Sequence, residues 1–127
     1  MAKLVFLLKR KPGITKEQFR AHYESSHVKL AEKYIGHLLT GYHRNYPTFA
    51  TLNPSEQPEG SEVKPYDFQY DAVTEMRVRD DAAIAEIARI FNDPAIQPIL
   101  AEDELKFLDR AATVMLVCDE VATGKTS

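Results

Sequence analysis

Two short apolar runs sit at opposite ends of the chain, and neither alternates with polar residues. Lys3 to Lys9 (KLVFLLK) encloses five consecutive apolar residues. Ala112 to Glu120 (ATVMLVCDE) sets Val114, Leu116 and Cys118 on one face of a strand and Met115 and Val117 on the other. A strand that is apolar on both faces needs both of them covered. Any sheet built from these two segments must therefore be packed on two sides, which strongly limits how a chain of 127 residues, one domain by size, can fold.

The segments between them read in order. Pro12-Gly13 punctuates the chain after the first strand, and Thr15-Lys16-Glu17-Gln18 has the form of a capping box, so a helix starts at Thr15. Phe19, Tyr23, Ser26 or His27, Leu30 and Tyr34 recur at helical spacing, carrying this helix to about Tyr34, with Gly36 as its stop. Leu39 to Tyr46 reads as a second strand. Residues 47–65, with Pro47, Pro54, Pro58 and Pro65, form a long loop. Phe68 to Val78 alternates throughout: Gln69, Asp71, Val73, Glu75 and Arg77 share one face, and Phe68, Tyr70, Ala72, Thr74, Met76 and Val78 the other. Asp80 or Asp81 caps a second helix through Ile84, Ile87, Ala88 and Phe91. Asp93-Pro94 opens a short third helix to about Leu100, and Asp103 to Arg110 is a connector. Residues 122–127 form a small, polar, flexible tail.

The order β-α-β-loop-β-α-α-β implies an α+β, ferredoxin-like βαββαβ domain over residues 1–121, a four-stranded antiparallel sheet with its helices on one face. Helices on one face leave the other side of the terminal strands wet. A second copy, packed sheet against sheet about a two-fold axis, is the economical cover, so the pattern predicts a homodimer.

Composition narrows the function classes. With 16 Lys and Arg against 19 Asp and Glu the net charge is -3, which gives no basic platform for nucleic acid and no attraction to a membrane surface. The single cysteine, Cys118, excludes an intrachain disulfide and a Cys-rich zinc site. No apolar run approaches membrane-spanning length, and the N-terminus lacks the pattern of a signal peptide, so a cytoplasmic location is the expectation. No phosphate-binding glycine loop or nucleophile elbow is present.

The opening segment, an apolar strand, K-R-K-P-G, a capped helix and then Phe19, Tyr23 and His27 in an F-x-x-x-[YW]-x-x-x-H array, resembles the EthD-domain family. The closing DELKFLDRAATVMLVCDE resembles that family's last segment, although Val28 stands where the family often has proline. The resemblance implies a dimeric α/β barrel. Its wider superfamily includes cofactor-free cyclases, decarboxylases and dehydratases, cofactor-independent monooxygenases and haem-handling enzymes. Fold is therefore implied more narrowly than chemistry.

Histidine is the side chain that both takes and gives a proton near neutral pH, and His27, on the Phe19/Tyr23 stripe, is the first candidate for catalysis. The alternative is a core histidine bonded to a backbone carbonyl. Glu75 is the second catalytic candidate, as the partner of His27. If the more apolar set of the third strand faces the helices, Asp71, Glu75 and Arg77 face the dimer cavity, and a carboxylate on its partly dry floor has its pKa raised. An ion pair with Arg77, or a solvated strand end, is its structural alternative. Tyr23, His43 and Asp71 are candidate substrate-binding residues, with the proviso that either His43 or the Tyr42/Arg44 pair, not both, faces the cleft. His22 and His37 read as exposed helix residues. Five-residue spacing does not put His22 and His27 on one α-helical face, so no metal site is expected. Asp109 reads as a cap or ion-pair residue, and Cys118 as a small buried hydrophobe. The leading expectation is a small cofactor-independent enzyme performing acid/base chemistry (dehydration, decarboxylation or cyclisation) on an oxygenated aromatic, polyketide or ring-cleavage intermediate. Alternatives are a non-catalytic small-molecule-binding accessory protein and a haem-binding barrel.

Overall fold

The computed structural model describes residues 1–52 and 65–124. Most of the proline-rich loop expected over 47–65, and the last three residues of the expected tail, lie outside the described residues. Four strands, β1 (Ala2–Leu8), β2 (Leu39–Asn45), β3 (Ala72–Val78) and β4 (Val114–Asp119), form one antiparallel sheet in the order β2-β3-β1-β4. Helices α1 (Lys16–His22), α2 (Val28–Ile35), α3 (Ala82–Phe91) and α4 (Gln97–Glu104) complete the ferredoxin-like α+β fold.

Local chemistry explains the element starts. Thr15 Oγ1 accepts from the Gln18 amide at 3.0 Å while Gln18 Oε1 accepts from the Thr15 amide at 2.9 Å, the reciprocal box that the sequence predicts. Asp80 Oδ1 accepts from the Ala83 amide at 3.0 Å, so Asp80 supplies the side-chain cap of α3. The Asp93-Pro94 helix start does not materialise there: Asp93 Oδ1 closes a turn on the Ala95 amide, and α4 begins at Gln97 with Pro98 in its first turn. The helix then runs past Leu100 to Glu104, absorbing residues expected in the connector.

The third strand is shorter than its alternation suggests. Its last register pair with β1 is Leu8↔Ala72, and there the Asp71 carboxylate turns aside to accept the Arg10 amide at 2.9 Å. Within Ala72–Val78 the two faces fall as expected. Ala72, Thr74, Met76 and Val78 are buried under the helices, Met76 and Val78 in a cluster with Leu4, Ile35, Leu38 and Ile87, and Ala72 in one with Leu8, Phe19, Tyr23 and Phe107. Val73, Glu75 and Arg77 face away from them. On that same outer face cross-strand register aligns Val5 with Leu116 and Leu7 with both Val73 and Val114, so an apolar strip lies where no helix covers it.

The larger departure is inside the first helix. Instead of one α-helix to Tyr34, a π-helical turn spans Tyr23–His27 between α1 and α2, and the Val28 amide reaches back five residues to the Tyr23 carbonyl. This extra residue per turn rotates the face on which His22 and His27 sit.

Candidate active site

A cavity of about 300 Å³ opens between the helices and the sheet. Phe6, Leu8 and Met76 from the strands form its floor, and Ala31, Tyr34, Phe91, Leu100 and Ala101 its helical wall. Tyr23, Tyr42, His27, Glu104 and Arg110 supply hydroxyl, imidazole and charged groups. A mostly apolar concavity with a few convergent polar groups is the ordinary form of a small-molecule site.

His27 is held at this wall by a residue that the sequence reading left in a connector. His27 Nδ1 lies 2.9 Å from Asp103 Oδ2, and His22 Nε2 lies 3.0 Å from Asp103 Oδ1. Ser26 Oγ donates to the same carboxylate at 2.7 Å. Asp103 is only 5% exposed. Burial alone pushes its carboxyl up, but the hydrogen bonds from Ser26, His27 and His22 outweigh that and hold it below the usual aspartate range. An ionised carboxylate only accepts, so the facing nitrogens are donors: His27 carries its proton on Nδ1 and His22 on Nε2. In the neutral imidazole of His27, Nε2 is then the basic nitrogen, and it stands 3.9 Å from Glu104 Oε2 at the cavity wall. Phe107, fully buried, lies against both imidazoles, with ring centroids 5.0 Å from His22 and 5.2 Å from His27.

The π turn is what makes this arrangement. In an unbroken α-helix, residues five apart diverge; here both rings reach one carboxylate. His22, expected as an exposed helix residue, is a half-buried partner of Asp103. Asp103 and Phe107 both come from the DELKFLD stretch of the closing segment, where the resemblance draws attention to the segment without singling out Asp103.

Tyr23 lies where the helical stripe puts it, fully buried, with its hydroxyl 2.8 Å from Thr74 Oγ1 and 3.4 Å from the Tyr42 hydroxyl. Burial pushes both phenols above their ordinary pKa, so they stay protonated and available as donors. Of the two alternatives on β2, Tyr42 and Arg44 take the helix side. Arg44 grips Glu24 with Nε and Nη2 at 2.7 and 2.8 Å, and the Tyr46 hydroxyl donates to the same carboxylate.

The other expected site residues lie elsewhere. Glu75 is not the partner of His27: alternation on β3 puts it on the face opposite Thr74, and Lys3 Nζ binds it at 2.6 Å. That hydrogen bond from Lys3 outweighs burial and lowers the Glu75 pKa, the reverse of the rise expected for a dry carboxylate. His43 pairs with Glu75 in register on the same outer face, with Nε2 3.4 Å from Arg77 Nη1. Asp71 binds the backbone and guanidinium of Arg10 at the strand end, away from the cavity. Among the described residues no cluster of His, Cys, Asp and Glu has the geometry to hold a metal ion, and no helix is long and apolar enough to cross a membrane.

The EthD domain model matches residues 11–111, most of the chain. The chain belongs to the EthD family. Solved structures agree on the fold. An EthD family protein from Bacillus halodurans superposes with a TM-score of 0.60 at 18% identity, over 95% of this chain and 99% of that one. A protein from Arabidopsis thaliana gives 0.59 at 16% identity, over 98% and 100%. A dimeric protein of unknown function with a ferredoxin-like fold from Bacteroides fragilis gives 0.54 at 7% identity, over 94% and 95%. No curated protein matches the sequence significantly. For this EthD protein the likeness settles architecture, and the chemistry rests on the cavity.

Proposed function

We propose that this EthD protein is a small enzyme that moves protons on an oxygenated aromatic, polyketide-like or ring-cleavage substrate without a cofactor, by dehydration, decarboxylation or cyclisation. The observation that carries this reading is the His27–Asp103 pair. A buried carboxylate fixes the imidazole tautomer, so Nε2 is the acceptor at the wall of a cavity rich in aromatic rings. Such a histidine takes a proton from a carbon or hydroxyl and returns it to a leaving group. Asp103 acts by positioning the ring and by stabilising the imidazolium that forms. Tyr23 and Tyr42 are placed to donate to a substrate oxygen as charge develops on it. Incubating the protein in D₂O with a panel of aromatic β-keto and β-hydroxy compounds tests this. We expect deuterium at the carbon next to a carbonyl, or loss of water or carbon dioxide, for at least one compound. Binding without any exchange or turnover across the panel would instead make the protein a carrier.

The same reading includes a homodimer built on the outer face of the sheet. The strip of Val5, Leu7, Val73, Val114 and Leu116 supports it, as does the dimeric state stated for the Bacteroides fragilis neighbour. Sedimentation equilibrium at micromolar concentration should return twice the chain mass, and Leu116→Lys should shift it to one chain mass. A wild-type monomer at that concentration would overturn the dimer while leaving the cavity chemistry in place.

A further inference from the structure

The cavity's charged groups converge on one spot. Glu104 Oε1 accepts from Arg110 Nε at 3.2 Å, and Oε2 of the same carboxylate is the atom 3.9 Å from His27 Nε2. A single carboxylate thus lies between a guanidinium and an imidazole, at the wall of an aromatic-lined cavity. The guanidinium is engaged sparingly. Glu104 is its one partner among the described residues, through Nε alone, whereas Arg44 holds Glu24 through two nitrogens and both carboxylate oxygens. An arginine that binds a carboxylate firmly does so with two parallel N–H bonds. The Arg110 and Glu104 side chains are also 45% and 28% exposed, so their mutual hold is weak and Glu104 has solvent to turn into.

We propose that Arg110 is an anion-docking residue and that the cavity takes planar aromatic acids, the ligand carboxylate replacing that of Glu104 on the Arg110 guanidinium. The inference rests on the cavity being a ligand site, as proposed above, and adds the charge of the ligand and the residue that selects it. Glu104 acts as a built-in competitor. It fills the anion position when the cavity is empty and turns outward when an acid enters. The groups facing the incoming carboxylate are Arg110, His27 and Glu104 itself, while Asp103 lies behind the His27 ring. Phe6, Tyr34, Tyr42 and Phe91 offer their rings to the arene.

Isothermal titration with 2-naphthoate and its neutral counterpart 2-naphthamide tests this on the full chain. We expect wild-type protein to prefer the acid. Glu104→Gln removes the competitor and should tighten 2-naphthoate about tenfold while leaving 2-naphthamide unchanged. Arg110→Met should abolish the preference for the acid without weakening the amide. Equal binding of acid and amide by the wild type and by Glu104→Gln would overturn the docking role and leave the cavity standing as a neutral site. The same holds if 2-naphthoate affinity survives Arg110→Met. If neither compound binds any of the three proteins, this inference and the ligand-site reading beneath it both fail.

Discussion

Replacing His27 with glutamine should reduce turnover of whichever panel compound proves to be a substrate by about 10²–10⁴-fold, the usual worth of a positioned proton-transfer group. Glutamine is the informative choice because its amide N–H can still donate to Asp103 Oδ2, where His27 Nδ1 donates now. The buried carboxylate keeps its donor, so the thermal midpoint should stay within a few degrees of the wild type. What glutamine lacks is a basic nitrogen in place of Nε2. The loss should therefore fall on kcat, with KM little changed, since the proton transfer occurs in the transition state and contributes little to ground-state binding. Full activity in His27→Gln would end the catalytic reading. An unfolded variant would end it too, and would make His27 a structural residue of the helix–sheet core.

Much of the architecture is legible in local pattern. The capping box at Thr15, the two-sided apolar runs and the alternation within Ala72–Val78 are each set by neighbours a few residues away. Together they give the strand and helix order and the inward set of β3. The His27–Glu75 pairing fails for a reason the same pattern contains. If Thr74 faces the helices then Glu75 cannot, because adjacent strand residues point to opposite faces. What the pattern does not contain is the π turn. An extra residue in a helical turn is locally unfavourable, and here it is accompanied by three hydrogen bonds from Ser26, His27 and His22 to Asp103, which lies 76 to 81 positions further along the chain. Helical periodicity, counted at 3.6 residues, separates the two histidines that tertiary contact joins. Asp103 was hidden by the same limit. Local pattern places it in a connector, whereas the extension of α4 to Glu104 buries it.

That buried carboxylate gives the second large effect. Asp103→Asn keeps the shape but replaces one acceptor oxygen with a donor, which confronts the group now donating there, Ser26, His22 or His27, or forces a facing imidazole into its other tautomer. Losing charge-assisted bonds at a buried site costs about 2 kcal/mol, or roughly 5–10 °C in thermal midpoint for a domain of this size. Activity should fall as well, because His27 loses the partner that keeps its proton on Nδ1. The pH dependence identifies the carboxylate as the cause. The folded-state pKa of Asp103 is depressed by its hydrogen bonds. Its contribution to stability is therefore fully present above the unfolded value, about 3.9, and is lost as pH falls through the lower folded value. The gap between wild type and Asp103→Asn should accordingly be widest at neutral pH and narrow in acid, where the wild-type carboxyl also becomes protonated. Thermal melts of both proteins from pH 7 downward read this directly. A gap that stays constant with pH would mean that the substitution disturbs packing, and that Asp103 does not act through its charge on the two histidines.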